Sequence, residues 1–119
     1  MLHLSTACRY FYYNDIADMR KGAYSLSGLV RNQMNQDVLS GDVFIFIGRR
    51  ANKIKLLQWD EDGFALYEKG LERGSFERPA INQQGNYNIT AQQLQYILQG
   101  VVLKSIRHRK RFSLTAATV

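Results

Sequence analysis

The 119-residue sequence is poor in the residues that build disulfides, metal sites and membrane spans. Its single cysteine, Cys8, has no partner for an internal disulfide, and neither His3 nor His108 stands at metal-ligand spacing from it. No apolar run reaches the ~18 residues that span a bilayer, and the N-terminus lacks the pattern of a signal peptide. The sequence therefore predicts a cytoplasmic protein in reducing surroundings, with no metal, cofactor or membrane contact.

The sequence also lacks the motifs of common catalytic sites. It contains no Gly-rich phosphate loop, no GxSxG and no HExxH. The one dense acidic cluster, Asp60-Glu61-Asp62, is a run of consecutive turn residues, whereas two-metal chemistry needs carboxylates that converge on ions ~3.5–4 Å apart. Neither histidine has an evident carboxylate to orient it. We therefore expect no enzymatic activity and no small-molecule substrate.

Positive charge is concentrated near the C-terminus. The chain has 16 Lys and Arg against 10 Asp and Glu, a net charge of +6. Without the five cations of the segment 104–111 that value would fall to +1. Two interpretations stay open, a solvated tail or a basic arm that contacts phosphates. The candidate contacts in this arm include Arg107, Arg109, Lys110 and Arg111.

Composition and patterning predict a single α+β domain over residues 1–111, with the basic segment 104–111 at its end and a flexible tail at 112–119. The 45% apolar content is enough for a packed core. Aromatic and β-branched runs predict strands at 8–13, 43–47, 53–59 and 64–69. The run at 43–47 is apolar throughout, which is typical of a central strand buried on both faces. Short connections predict an antiparallel β-meander of three to five strands.

Two helices are expected to cover this sheet. In the first, near residues 16–35, apolar residues recur at helical spacing from Met19 to Met34, with Asn14-Asp15 as the N-cap and Asp18 in the first turn. In the second, near residues 90–100, Thr90 and Gln93 form a capping box and Gly100 ends the helix. The turn Asp60 to Gly63 is expected to use a positive φ angle at its glycine.

The predicted meander separates the charges. Because strands reverse at each turn, Arg49, Arg50 and Lys53 should lie at one end of the sheet, and the acidic run at Asp60 to Asp62 at the other. The third strand returns toward the first end, which brings back Lys69 and Arg73. Solvated loops would explain either end alone, but convergence of distant basic groups favours a binding surface.

Four stretches occur together that resemble one family: "DMRKG" from Asp18, "SGDVFIFIGRR" from Ser40, "KIKLLQWDEDGFALYEKGLERGSF" from Lys53 and "LQYILQGV" from Leu94. From about residue 12 to residue 111 the chain is similar to the TnpB accessory protein, the second open reading frame, of insertion-sequence-66-type bacterial transposable elements. The resemblance implies a role in DNA transposition without catalytic activity. Such proteins are encoded beside a helix-turn-helix protein and a separate transposase.

Two functions are compatible with this resemblance. In the first, an accessory protein contacts DNA of the element ends through the basic end and the C-terminal arm. Its contact set outside the arm is Arg20, Lys21, Arg49, Arg50, Lys53, Lys69 and Arg73. In the second, the chain is a protein–protein adaptor that docks on the transposase or on the helix-turn-helix partner. Trp59, Asp60 and Asp62 would then form the docking surface.

Overall fold

A computed structural model describes residues 4–80 and 87–103 of the chain. The basic segment 104–111, the tail 112–119 and both histidines lie outside these described residues. Within them, a five-stranded sheet carries one helix on each face, which confirms a single α+β domain with two helices. The elements in chain order are β1 (Tyr10–Tyr12), α1 (Ala23–Asn32), β2 (Val43–Ile47), β3 (Lys53–Asp60), β4 (Gly63–Gly70), β5 (Asn88–Ile89) and α2 (Ala91–Gln99).

The sheet is mixed, with the strand order β4-β3-β2-β1-β5. The predicted antiparallel meander is confirmed for β2, β3 and β4. It is wrong for β1, which runs parallel to β2, with Tyr10 opposite Val43. The reason is the connection between these two strands, because it contains α1, and a helical crossover returns the chain in the same direction. The short strand β5 pairs antiparallel with the other side of β1.

Strand β2 lies at the centre of the sheet and is buried at all five positions, as its apolar run predicts. Its side chains alternate between two cores. Val43, Ile45 and Ile47 pack with α2 on one face, whereas Phe44 and Phe46 pack with α1 on the other. Helix α1 contributes Leu26 and Val30, and α2 contributes Leu94, Ile97 and Leu98.

Helix α1 is shorter than predicted, and Asp18 lies outside it. The N-cap is Gly22 and the helix begins at Ala23, although apolar spacing continues further toward the N-terminus. The preceding segment is held against the sheet instead, because the Ala17 N–H donates to the Ile47 carbonyl oxygen at 3.1 Å. The predicted N-cap at Asn14-Asp15 and the interaction of Asp18 with the helix dipole are therefore wrong.

Helix α2 forms as its sequence predicts. The Thr90 hydroxyl accepts from the Gln93 N–H at 3.0 Å, and the Gln93 side chain accepts from the Thr90 N–H at 2.8 Å. Gly100 ends the helix in the left-handed region with φ at 82°. Neither α1 nor α2, the two helices of the described residues, is long and apolar enough to cross a membrane.

The turn between β3 and β4 differs in one detail from the prediction. Glu61, and not Gly63, has the positive φ angle, at 55°. Residues 71–80 form a loop without a strand. The antiparallel hairpin places residues 48–52 and the Asp60–Asp62 turn at opposite ends of the eight-residue strand β3.

Candidate functional site

The basic end of the sheet, which we define as residues 48–53 together with residues 16–21, begins at a tight connection after β2. The Gly48 N–H donates to the Lys53 carbonyl oxygen at 3.2 Å, and the Ala51 N–H donates to the Gly48 carbonyl oxygen at 3.0 Å. Ala51 has φ at 56°. This connection displays Arg49 and Arg50 to solvent, with no side-chain partner among the described residues. Both arginines are therefore surface residues.

The segment 16–21 lies directly against this connection. Ala17 forms a parallel bridge with Gly48. A Cβ atom at Gly48 would lie 2.7 Å from the Met19 Cγ, so any other residue here would force the Met19 side chain to move. The buried Lys55 amine donates to the Lys21 carbonyl oxygen at 2.8 Å and ties the end of the segment to β3.

The two segments enclose an open cleft of about 620 Å³. Four cationic side chains line it against a single carboxylate, that of Asp18. The cations come from both segments and are Arg20, Arg49, Arg50 and Lys53. The fold therefore brings Arg20 together with three residues of the predicted contact set that lie about thirty positions later in the sequence.

A third segment, residues 71–78, supports the basic end from outside the cleft. The Leu71 N–H donates to the Asn52 carbonyl oxygen at 2.8 Å, and the Phe76 N–H donates to the Ala51 carbonyl oxygen at 2.6 Å. The Arg78 guanidinium donates to the carbonyl oxygens of Gly48 and Arg49. Sequence reasoning did not single out Arg78, because nothing in its local pattern indicates contact with a loop about thirty residues earlier.

Within the described part of the chain, Arg20 is the one cleft cation with a carboxylate partner. Its guanidinium donates to the Asp18 carboxylate at 2.9 Å and 3.0 Å, and the Arg20 side chain remains 91% exposed. Hydrogen bonds from Arg20 lower the pKa of Asp18 to about 2. Asp18 is therefore ionised at neutral pH and partly offsets the positive charge of the cleft.

Three other residues of the predicted contact set, Lys21, Lys69 and Arg73, do not line the cleft. Lys21 is half-buried and does not line the cleft. The Lys69 amine donates to the Leu98 carbonyl oxygen at 3.1 Å. A positive charge at this position stabilises the C-terminal end of α2. Arg73 is exposed in the supporting loop. The predicted contacts of Arg107, Arg109, Lys110 and Arg111 lie outside the described residues.

The acidic end of the sheet, which we define as Asp60, Glu61 and Asp62, is a single exposed turn. Three aromatic rings lie beside it. Trp59 is half-buried and meets Phe64 edge-on at 5.1 Å between ring centroids. Phe64 in turn meets Tyr24 of α1 at 5.9 Å, and Tyr24 is 83% exposed. Among the described residues, no cluster of His, Cys, Asp or Glu is arranged to hold a metal ion.

A buried carboxylate, Asp42, stands near the acidic end, one residue before β2. It accepts from the Arg9 N–H and the Arg9 guanidinium, both at 2.9 Å, and from the Ser40 hydroxyl at 3.0 Å. Burial alone would raise the pKa of Asp42, but these hydrogen bonds outweigh it and lower that pKa. Sequence reasoning missed this pair because its members are 33 residues apart.

Comparisons with known proteins agree with the resemblance. A family model described as "IS66 Orf2 like protein" matches residues 8–108. Two relatives come from Sinorhizobium fredii and are both called uncharacterized. The protein y4hO is 36% identical over 84 residues, which cover 71% of this chain and 72% of the relative. The protein y4jC is 27% identical over 101 residues, which cover 85% and 86%.

No solved structure matches the chain. The family match extends over most of the sequence and includes all seven strands and helices, both charged ends and residues 71–78. The chain therefore belongs to the IS66 Orf2-like family of insertion-sequence proteins.

Proposed function

We propose that this chain is a non-catalytic accessory protein of DNA transposition that contacts the phosphate backbone of DNA through its basic end. Membership of the IS66 Orf2-like family implies an accessory role and an association with the transposition machinery. The observation that supports DNA contact is the cleft between residues 16–20 and 48–53, where four cations face one carboxylate among the described residues.

The arrangement suits contact with phosphates better than base recognition. Arg49 and Arg50 are exposed and have no side-chain partner among the described residues, so their guanidinium groups are available to phosphate oxygens. The three aromatic rings described above could stack on bases, but they lie beside the acidic turn. The carboxylates of that turn repel a phosphate backbone. We therefore expect binding to duplex DNA with little sequence preference and strong salt dependence.

The test compares two double variants by fluorescence anisotropy with a duplex from the element ends and a scrambled duplex. R49A/R50A should weaken binding to both duplexes. It should also reduce the slope of log affinity against log salt by roughly 2, since each lost phosphate contact removes about 0.9. D60N/D62N should bind as well as the wild type or more tightly, because a repulsive charge is gone.

Both variants change exposed turn residues, so their folded state can be verified by circular dichroism before binding is measured. Wild-type affinity and salt slope in folded R49A/R50A would contradict DNA contact at the basic end. A chain truncated after Leu103 lacks the arm but keeps this half-buried residue. Its DNA affinity and salt slope, compared with those of the wild type, separate the contribution of the arm from that of the cleft. If each of the arm's five cations met a phosphate, its removal would lower the slope by roughly 4–5.

A second candidate function is the adaptor. The feature that favours it is the aromatic group beside the acidic end, where Tyr24 exposes 83% of its surface next to Phe64. Exposed aromatic residues beside charges are typical of protein contacts. In this function the transposase or the helix-turn-helix protein contacts Trp59, Asp60 and Asp62.

Capture of the purified transposase, with and without element-end DNA, tests the adaptor. Tyr24→Ser and D60N/D62N should each reduce capture while DNA affinity is unchanged, whereas R49A/R50A should leave capture intact. Tyr24 is a suitable site because its exposure makes a stability effect small, within about 0.5 kcal/mol. Wild-type capture by both variants would reject the adaptor surface.

A further inference from the structure

The outer edge of β4 is open along the described part of the chain. The sheet order ends at β4, so no strand within residues 4–80 and 87–103 pairs with its far side. The strand is eight residues long and contains no proline. An edge of this length presents unpaired N–H and C=O groups that can pair with another backbone.

The register of the hairpin determines which backbone groups point outward. The Leu71 N–H donates to the Asn52 carbonyl oxygen, and in an antiparallel ladder hydrogen-bonded pairs alternate with pairs that are not bonded. Counting back along the β3–β4 register, the bonds to β3 fall at the odd-numbered residues of β4. The N–H and C=O groups of the even-numbered residues therefore point away from β3: Phe64, Leu66, Glu68 and Gly70.

We propose that this edge pairs with β4 of a second copy of the chain, antiparallel and centred on Leu66, so that two sheets join into one. A two-fold axis perpendicular to the sheet passes through such a pair, which makes the contact self-complementary and closed. The outward groups of one copy then meet the equivalent outward groups of the other, as a hydrogen-bonded ladder requires.

Charge complementarity selects this partner and this direction. Strand β4 begins beside the acidic turn and ends beside Lys53 of the basic end, near Lys69 and Arg73, with Glu68 and Glu72 as the carboxylates of this stretch. Antiparallel pairing places the acidic end of each copy beside the cations at the end of the partner's β4. Parallel pairing would place acidic turn against acidic turn, which is unfavourable.

The side chains favour a centre at Leu66. This residue is an apolar side chain on an edge strand and is 36% exposed. Centring the pair on Leu66 buries it against the partner's Leu66 on the axis. A register shifted to Tyr67 would instead place the exposed Leu66 opposite the partner's Glu68, whereas centring on Leu66 places Phe64 there, whose ring already packs against Trp59 and Tyr24.

Sedimentation equilibrium of the full chain tests the proposal. The wild type should be a reversible dimer, at twice the 13.7 kDa of one chain. Leu66→Lys places like charges on the axis and should weaken the dimer at least about tenfold. Leu39→Lys is the matched control, because Leu39 is 56% exposed and lies in the loop before β2. Leu39→Lys should dimerise like the wild type.

A monomeric wild type at high micromolar concentration would overturn the proposal. Equal dimerisation of Leu66→Lys and the wild type would also overturn it, because the contact would then lie on another surface. A monomeric wild type that still captures the transposase through Leu66 would show that the edge binds a different strand. The readout is self-association, so its outcome is independent of whether the basic end contacts DNA.

Cross-linking tests the register in chains that carry Cys8→Ser. Paired positions on the axis have Cα atoms ~5.5 Å apart, within reach of a disulfide. In this register the two copies of residue 65 are offset by two residues and lie ~8 Å apart, beyond that reach. Leu66→Cys should therefore give a covalent dimer under mild oxidation and Ala65→Cys should not. Cross-linking at residue 65 alone, or equally at both, would overturn the register.

Discussion

At the basic end of the sheet three separate segments meet, whereas the acidic end consists of three consecutive residues in one turn. Residues 16–21, 48–53 and 71–78 are joined there by backbone hydrogen bonds and by the side chains of Lys55 and Arg78. The carboxylates at Asp60, Glu61 and Asp62 receive no such support from residues 4–80 and 87–103.

This difference shows how each surface depends on the fold. The cations of the basic end hold their mutual positions only while distant segments remain packed, so changes outside the cleft can disturb it. The acidic turn is a run of consecutive residues, so its charges stay close together in any state of the chain. A preorganised cluster of cations loses less conformational freedom on binding a polyanion than a flexible one.

The largest expected effect is at the close approach of Gly48 to Met19. Gly48→Ala adds a Cβ atom 2.7 Å from the Met19 Cγ, so we expect a loss of about 2 kcal/mol in the free energy of unfolding. Gly28→Ala is the control, because it lies inside α1 with no atom within 4 Å of a new Cβ. It should stabilise the protein by up to about 1 kcal/mol.

Urea denaturation of both variants measures this contrast. Adding Met19→Ala to Gly48→Ala should recover part of the loss, since it removes the colliding atom. If Gly48→Ala were as stable as the wild type, the two segments would not be packed as closely as the structure has them.

The next effect concerns the one supported carboxylate near the acidic end, Asp42. Asp42→Asn removes charge-assisted hydrogen bonds from Arg9 and Ser40 and should cost about 1.5 kcal/mol at neutral pH. The pKa of Asp42 is lower in the folded state than in the unfolded state, where it is about 3.9. Its stabilisation is therefore present above that value and is lost as the pH falls through the folded-state pKa.

Denaturation at a series of pH values tests this sign. The difference in stability between wild type and Asp42→Asn should be largest near neutral pH and should narrow as the pH is lowered below about 4. A difference that is constant over this range would mean that the carboxylate is not held in its ionised form by Arg9.

A smaller effect is expected for the support of the basic end by Arg78. Arg78→Gln removes the donors to Gly48 and Arg49 and should lower the free energy of unfolding by about 1 kcal/mol. It should also weaken DNA binding, although Arg78 does not line the cleft. Arg73→Gln removes the same charge from an exposed loop and should change stability by less than about 0.5 kcal/mol.

Denaturation of the two variants separates a structural role from a loss of charge, because Arg73 belongs to the predicted contact set but supports no other segment in the described residues. Wild-type stability and wild-type DNA binding in Arg78→Gln would show that the support of the connection contributes nothing.

The smallest effect is expected at the acidic end. D60N/D62N should change the free energy of unfolding by less than about 0.5 kcal/mol per site, because both side chains are exposed and unpaired within the described residues. Thermal denaturation measures it. A loss above that size would reveal a structural role for the turn and would remove the contrast between the two ends.

Local patterns in the sequence predicted the elements that depend on local physics. The buried run at Val43 to Ile47, the hairpin and the capping box at Thr90 follow from side-chain alternation and short-range hydrogen bonds. The segregation of charge between the two ends followed from strand reversal alone.

Features set by distant contacts could not be predicted in this way. The helical spacing around Met19 predicted too long a helix, because pairing of Ala17 with β2 competes with helix formation there. The parallel alignment of β1 and the roles of Arg78 and Lys55 depend on segments about thirty residues apart or more. The glycine after β2 was the one local signal of a close approach, because a residue without Cβ often marks such a place.

The most direct test of contact between DNA and the basic end is an NMR titration of the isotope-labelled chain with a short duplex. Contact at the basic end should give progressive shifts of the backbone amides in residues 16–21 and 48–53, with residues 59–64 unaffected. These shifts should reverse when salt is added. Shifts confined to residues 59–64, or none at a DNA excess, would contradict it.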